Sequence, residues 1–109
     1  MKRFCLALDL KNDAQAIAQY EAYHKAVWPE IIDSIKSSGI EQMQIYRVQN
    51  RLIMLIEASD DFSFEQKAAL DAQNPKVQQW EALMDQFQQR IPGTPKGAKW
   101  ALAEPIFNL

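Results

Sequence analysis

His24, the only histidine of the 109-residue chain, stands four residues after Tyr20 and four before Trp28, with Pro29 next. At about 100° of helix rotation per residue, Ile17, Tyr20, His24, Val27, Trp28, Ile31 and Ile35 share a sector of roughly 100°, the width of a core-facing stripe. An imidazole is the side chain whose charge changes near neutral pH without help. Placed where a leucine would pack better, it is either a hydrogen-bonded core group or a general acid and base. Spacing alone leaves both readings open.

Trp80 lies on the apolar stripe of a second long helix (Val77, Trp80, Leu83, Met84, Phe87), and Glu81 sits at the border of that stripe. If both helices pack on one sheet face, Tyr20, His24, Trp80 and Glu81 converge on one pocket. An aromatic wall with a few polar groups suits a sugar, whose C–H faces stack on rings while its hydroxyls need partners. Each residue also has a plainer reading: Trp28 and Trp80 as core aromatics, Tyr20 as half-buried packing, Glu81 as a solvated charge, Met43 and Met54 as core filler. No other motif competes. Three glycines form neither G-x-G-x-x-G nor a P-loop. One His and one Cys cannot build a usual zinc site, and no G-x-S-x-G turn occurs. Proton transfer without metal or cofactor is what remains.

These residues need a scaffold, and the chain length sets it at one domain spanning 1–109. With 48% hydrophobic and 24% charged residues the composition is that of a soluble globular protein. A net charge of -2, with Lys2-Arg3 the only adjacent basic pair, gives no footprint for nucleic acid or an anionic membrane. Cys5 stands alone, expected as a buried strand thiol, and no disulfide can form within the chain. The apolar run after Lys2-Arg3 meets Asp9 too soon for a signal peptide, and no segment approaches a membrane span. A cytoplasmic protein, complete as written, is expected.

Phe4, Leu6, Leu8 and Leu10 alternate with Cys5, Ala7 and Asp9, which predicts a strand over Arg3 to Leu10. Asn12 with Gln15 reads as a capping box opening a helix that runs to about Ser38, before Gly39. Pro29 interrupts it. Either the helix kinks there, or a second helix begins with proline at its first position. Glu41 to Val48 and Arg51 to Glu57 read as strands joined at Gln49-Asn50. The unbroken apolar run Leu52 to Ile56 predicts cover on both its faces. Ser63 with Gln66 caps a short helix, and Asn74-Pro75 opens the second long one. Ile91 to Lys99 is a loop, and Trp100 to Phe107 a final strand with Pro105 at a sheet edge. The order strand, helix, strand, strand, helix, strand is the ferredoxin-like βαββαβ arrangement, an α+β fold with an antiparallel sheet and its helices on one face. The uncovered face predicts a homodimer, two sheets facing each other.

With these elements the chain resembles the L-rhamnose mutarotase family over nearly its whole length. The resemblance rests chiefly on Tyr20-x-x-x-His24-x-x-x-Trp28-Pro29-Glu30 after a short first strand. Gly39, Ile45-Tyr46, Trp80 with Met84, and Ile106-Phe107-x-Leu109 add to it. The family's members are small dimeric α+β barrels that interconvert the α and β anomers of a 6-deoxy sugar. The resemblance implies His24 as proton donor, Tyr20 as a substrate-binding residue, and Trp80 as the first of two adjacent pocket tryptophans. Two positions depart from the pattern: Glu81 stands where the second tryptophan would be, and Met43 where a pocket tyrosine would be. Both bear on which sugar is bound, L-fucose competing with L-rhamnose. Histidine would protonate the ring oxygen as the hemiacetal opens, Tyr20 orient, Trp80 stack, and Glu81 bind hydroxyls or act as the complementary base. The competing expectations are a cofactor-free or haem-linked monooxygenase on the same fold and a non-enzymatic ligand-binding barrel.

Overall fold

A computed structural model describes all 109 residues. In chain order it comprises β1 (Lys2–Leu10), α1 (Ala14–His24), α2 (Pro29–Ser37), β2 (Ile40–Val48), β3 (Arg51–Ala58), α3 (Phe64–Ala72), α4 (Pro75–Asp85), β4 (Gln88–Gln89) and β5 (Ala101–Leu102). The sheet is antiparallel throughout, in the order β2-β3-β1-β4 with β5 also on β1. That is the ferredoxin-like order. β1 behaves as its alternation requires: Leu6, Leu8 and Leu10 are buried and pack under the helices. Cys5, expected to be buried, is only partly so, because its face of the sheet is the uncovered one.

Of the two forms left open at Pro29, a kinked helix or a restart, the structure has the restart. Proline disfavours helical backbone in the residue before it, and Trp28 is extended (φ -56°, ψ 136°), so α1 stops at His24 and α2 starts afresh with Pro29 in its first turn. His24 therefore ends a helix rather than sitting mid-stripe. The cap of α1 is Asp13, which accepts from the Ala16 amide, and not Asn12. Gly39 closes α2 at φ +100°, a conformation that glycine adopts freely.

Three further expectations are corrected. Phe87 is buried, but in the turn after α4 and not on its stripe. The final strand is only Ala101–Leu102, and a second short strand, β4, holds the same edge of β1 near Leu10. The fourth strand of the fold is thus split in two by the loop from Arg90 to Trp100. In Leu52 to Ile56 only one face is covered within the chain: Leu52 and Ile56 are buried, whereas Leu55 is 39% exposed. No helix is long and apolar enough to cross a membrane.

Candidate functional site

Between the helices and the inner face of the sheet lies a cavity of about 1190 Å³. All five residues singled out in the sequence line it: Tyr20 and His24 from the end of α1, Met43 from β2, Trp80 and Glu81 from α4. The break at Pro29 helps to place His24 there, because ending α1 leaves the imidazole in its last turn, half-buried.

The His24 ring is anchored on one side. Its Nδ1 lies 2.8 Å from the Tyr20 carbonyl oxygen one helical turn back. A carbonyl only accepts, so Nδ1 carries the hydrogen and Nε2 is left as the nitrogen for chemistry. Aromatic rings hold the plane of the imidazole. Tyr20 is 4.3 Å away at 32°, and Trp80 is 5.6 Å away, edge-on at 67°. Trp80 in turn meets Trp28 at 5.1 Å and Tyr23 at 6.4 Å, both edge-to-face, the favoured aromatic geometry. Trp80 is buried, so packing and cavity wall are one role rather than alternatives.

Tyr20 is 3% exposed. Burial pushes its hydroxyl up to about 12, the Glu81 charge adds to the rise, and a hydrogen bond with Gln88 opposes it. A phenol so placed stays neutral at physiological pH: it is able to donate a hydrogen bond and does not act as a base.

Glu81 is neither free nor simply solvated. Lys99 reaches back from the loop before β5 and puts its Nζ 2.6 Å from Glu81 Oε2 and 3.1 Å from Asp85 Oδ1. The carboxylate stands at the cavity rim, held by an ammonium. Met43, expected either as filler or as a selector of sugar, is partly buried on the wall beside Ile45 and Met54.

Lys99, Trp100 and Gln88 also line the cavity and were not found in the sequence. Lys99 falls in a Pro- and Gly-rich stretch, where nothing local ties it to α4. Gln88 falls in Gln86-Phe87-Gln88-Gln89, which has no alternation to betray a strand. The set as a whole comprises an anchored imidazole, a neutral phenol, an aromatic wall and a carboxylate fixed by a lysine. It is equipped to move one proton on a small hydroxylated ligand.

Comparison with known proteins agrees in kind. Residues 3–109 match the family model described as L-rhamnose mutarotase. An L-fucose mutarotase of Xanthomonas campestris pv. campestris is 46% identical over 111 aligned residues, which cover 100% of this chain and 89% of the relative. Two solved structures share the fold. An L-rhamnose mutarotase from Formosa agariphila is 24% identical with a TM-score of 0.72, covering 100% of this chain and 99% of that one. Tetracenomycin F2 cyclase from Streptomyces glaucescens is 19% identical with a TM-score of 0.65, covering 100% and 97%.

Proposed function

Because this chain belongs to the L-rhamnose mutarotase family, we propose that it is a carbohydrate isomerase interconverting the α and β anomers of a 6-deoxy-L-hexose by proton transfer at His24. L-fucose is the favoured sugar. The 46% identity to an L-fucose mutarotase supports it, as do Met43 and Glu81 at positions where the rhamnose pattern has aromatic residues.

The observation that carries the reading is the Nδ1 contact to the Tyr20 carbonyl, which supports it by leaving Nε2 without a backbone partner. As the ring opens, the C1–O5 bond breaks, O5 takes a proton from Nε2 of the doubly protonated His24 ring, whose Nδ1 keeps its hydrogen on the Tyr20 carbonyl, and the O1 hydrogen passes to the Glu81 carboxylate as C1 becomes an aldehyde. Rotation about C1–C2 and reversal of the transfers close the ring on the opposite face. A histidine serves both directions, which general acid-base catalysis of a reversible step requires. Tyr20 orients by donating a hydrogen bond, and Trp80 offers its ring to the C–H face of the sugar. The Glu81 carboxylate, held by Lys99, accepts from sugar hydroxyls and is the base for the O1 proton.

The test is saturation-transfer NMR of anomer exchange with L-fucose, L-rhamnose and ribose under one set of conditions. His24→Asn should lower the exchange rate by about 10²–10⁴-fold, the usual contribution of a positioned proton carrier. A folded His24→Asn protein with undiminished exchange overturns the mechanism.

A further inference from the structure

Gln88 holds a buried side-chain oxygen that no donor of the protein reaches: Oε1 is the only buried side-chain polar atom in the chain without a partner. Leaving such an acceptor unmade typically costs about 1–3 kcal/mol, and native interiors seldom tolerate it without a reason. The register says where it faces. Gln88 pairs with Leu10 across β1 and β4, and directly paired residues share a sheet face. Leu10 is fully buried under the helices, so the amide lies on the inner face, which is otherwise built from Leu, Ile and Met.

The two cations that share a small cavity with it are committed elsewhere. A smaller cavity of about 250 Å³ shares Gln88 with Asp85, Arg90 and Lys99. Arg90 donates from Nε to the Ala98 carbonyl at 2.9 Å, and Lys99 is taken by Glu81 and Asp85. On its other side Gln88 lines the cavity that contains Tyr20 and His24. There the Gln88 amide faces the Tyr20 hydroxyl and holds that group's pKa down against the effect of burial, while its Oε1 remains unmatched.

We propose that Gln88 is a specificity-determining residue, whose side-chain oxygen accepts a hydrogen bond from one ring hydroxyl of the bound sugar. A site built to bond a substrate hydroxyl discriminates against the analogue lacking it far better than a hydrophobic wall does, because the missing group leaves a buried partner unpaired. Gln88 supplies that partner on the sheet side of the cavity. It selects the sugar, while His24 acts on the anomeric centre. The inference rests on the mutarotase reading for the class of ligand.

The experiment compares wild type, Gln88→Leu and Gln88→Met. Each is tested with L-fucose, L-rhamnose and the 2-, 3- and 4-deoxy derivatives of L-fucose, by calorimetric affinity and by NMR exchange. Wild type should bind one derivative about 10- to 100-fold more weakly than the parent, the loss of one buried hydrogen bond. The apolar variants should bind that derivative and the parent alike, with Tm unchanged or raised, since a buried polar group has been removed. Variants that keep the wild-type ranking, at any Tm, overturn the inference, and so does failure of both to fold, which would make the amide a structural group. Exchange by wild type with a ranking independent of Gln88 defeats the inference alone. Ranking that depends on Gln88 without exchange defeats the mutarotase reading alone. No binding of any of these sugars defeats both.

Discussion

Tyr20 shows how much one position in the sequence reveals and how much it conceals. Its spacing from His24 was visible, because residues four apart share a helix face. Its ionisation was not, because that depends on burial under α4 and on Glu81 and Gln88, which lie more than sixty residues away in the chain. The consequence is measurable. A hydroxyl near pKa 12 in the folded protein and near 10 when unfolded keeps its proton longer in the native state. The native state therefore has its full advantage from this group below pH 10, and loses it as pH rises through 10 to 12. Two pKa units correspond to about 3 kcal/mol, lost entirely above that window. Urea denaturation at pH 9 and pH 12 should show a drop that Tyr20→Phe reduces. Ultraviolet titration should show a tyrosine step near 12 that Tyr20→Phe removes. Absence of such a step would contradict the burial.

At the level of elements, strands with clear alternation and helices with cap residues were read from the sequence, while interrupted elements were not. Leu6, Leu8 and Leu10 fix β1, and Asn74-Pro75 fixes the start of α4, where the Asn74 side chain accepts from Lys76 and Val77. Pro29 announced a break without saying which of two forms it takes, since kink and restart satisfy the same missing amide. β4 escaped notice because two glutamines carry no period. Gly39 was read as a stop to α2, and the structure adds a tighter demand. A Cβ built there would lie 2.8 Å from the Ser59 Oγ, at a φ that side chains rarely adopt. Gly39→Ala should destabilise by about 1–3 kcal/mol in urea denaturation, from the strained backbone and the clash together. Adding Ser59→Ala should return the part due to the clash and leave the backbone part. If the double variant is no better than the single, Ser59 moves aside freely and φ alone sets the cost.

The molecule as a whole has one sheet face under helices and one bare. Along the bare face Tyr46 pairs with Ile53 and Ile53 with Ala7, while Leu55 pairs with Cys5, so apolar groups line up across three strands. Tyr46 is 56% exposed and Val48 58%. The run Leu52 to Ile56, read as covered on both faces, is covered within the chain on one of them only. A contiguous apolar band of this kind marks an association surface, and we propose that two copies meet there, sheet to sheet. The cavity lies on the opposite side of the sheet, between it and the helices. Light scattering of the wild type at micromolar concentration should give twice the 12.6 kDa chain mass. Tyr46→Glu with Leu55→Glu places two charges where they would be desolvated on contact, and should yield folded monomers that still bind sugar. A monomeric wild type, or a doubly substituted protein that remains dimeric, would show that this face stays bare in solution.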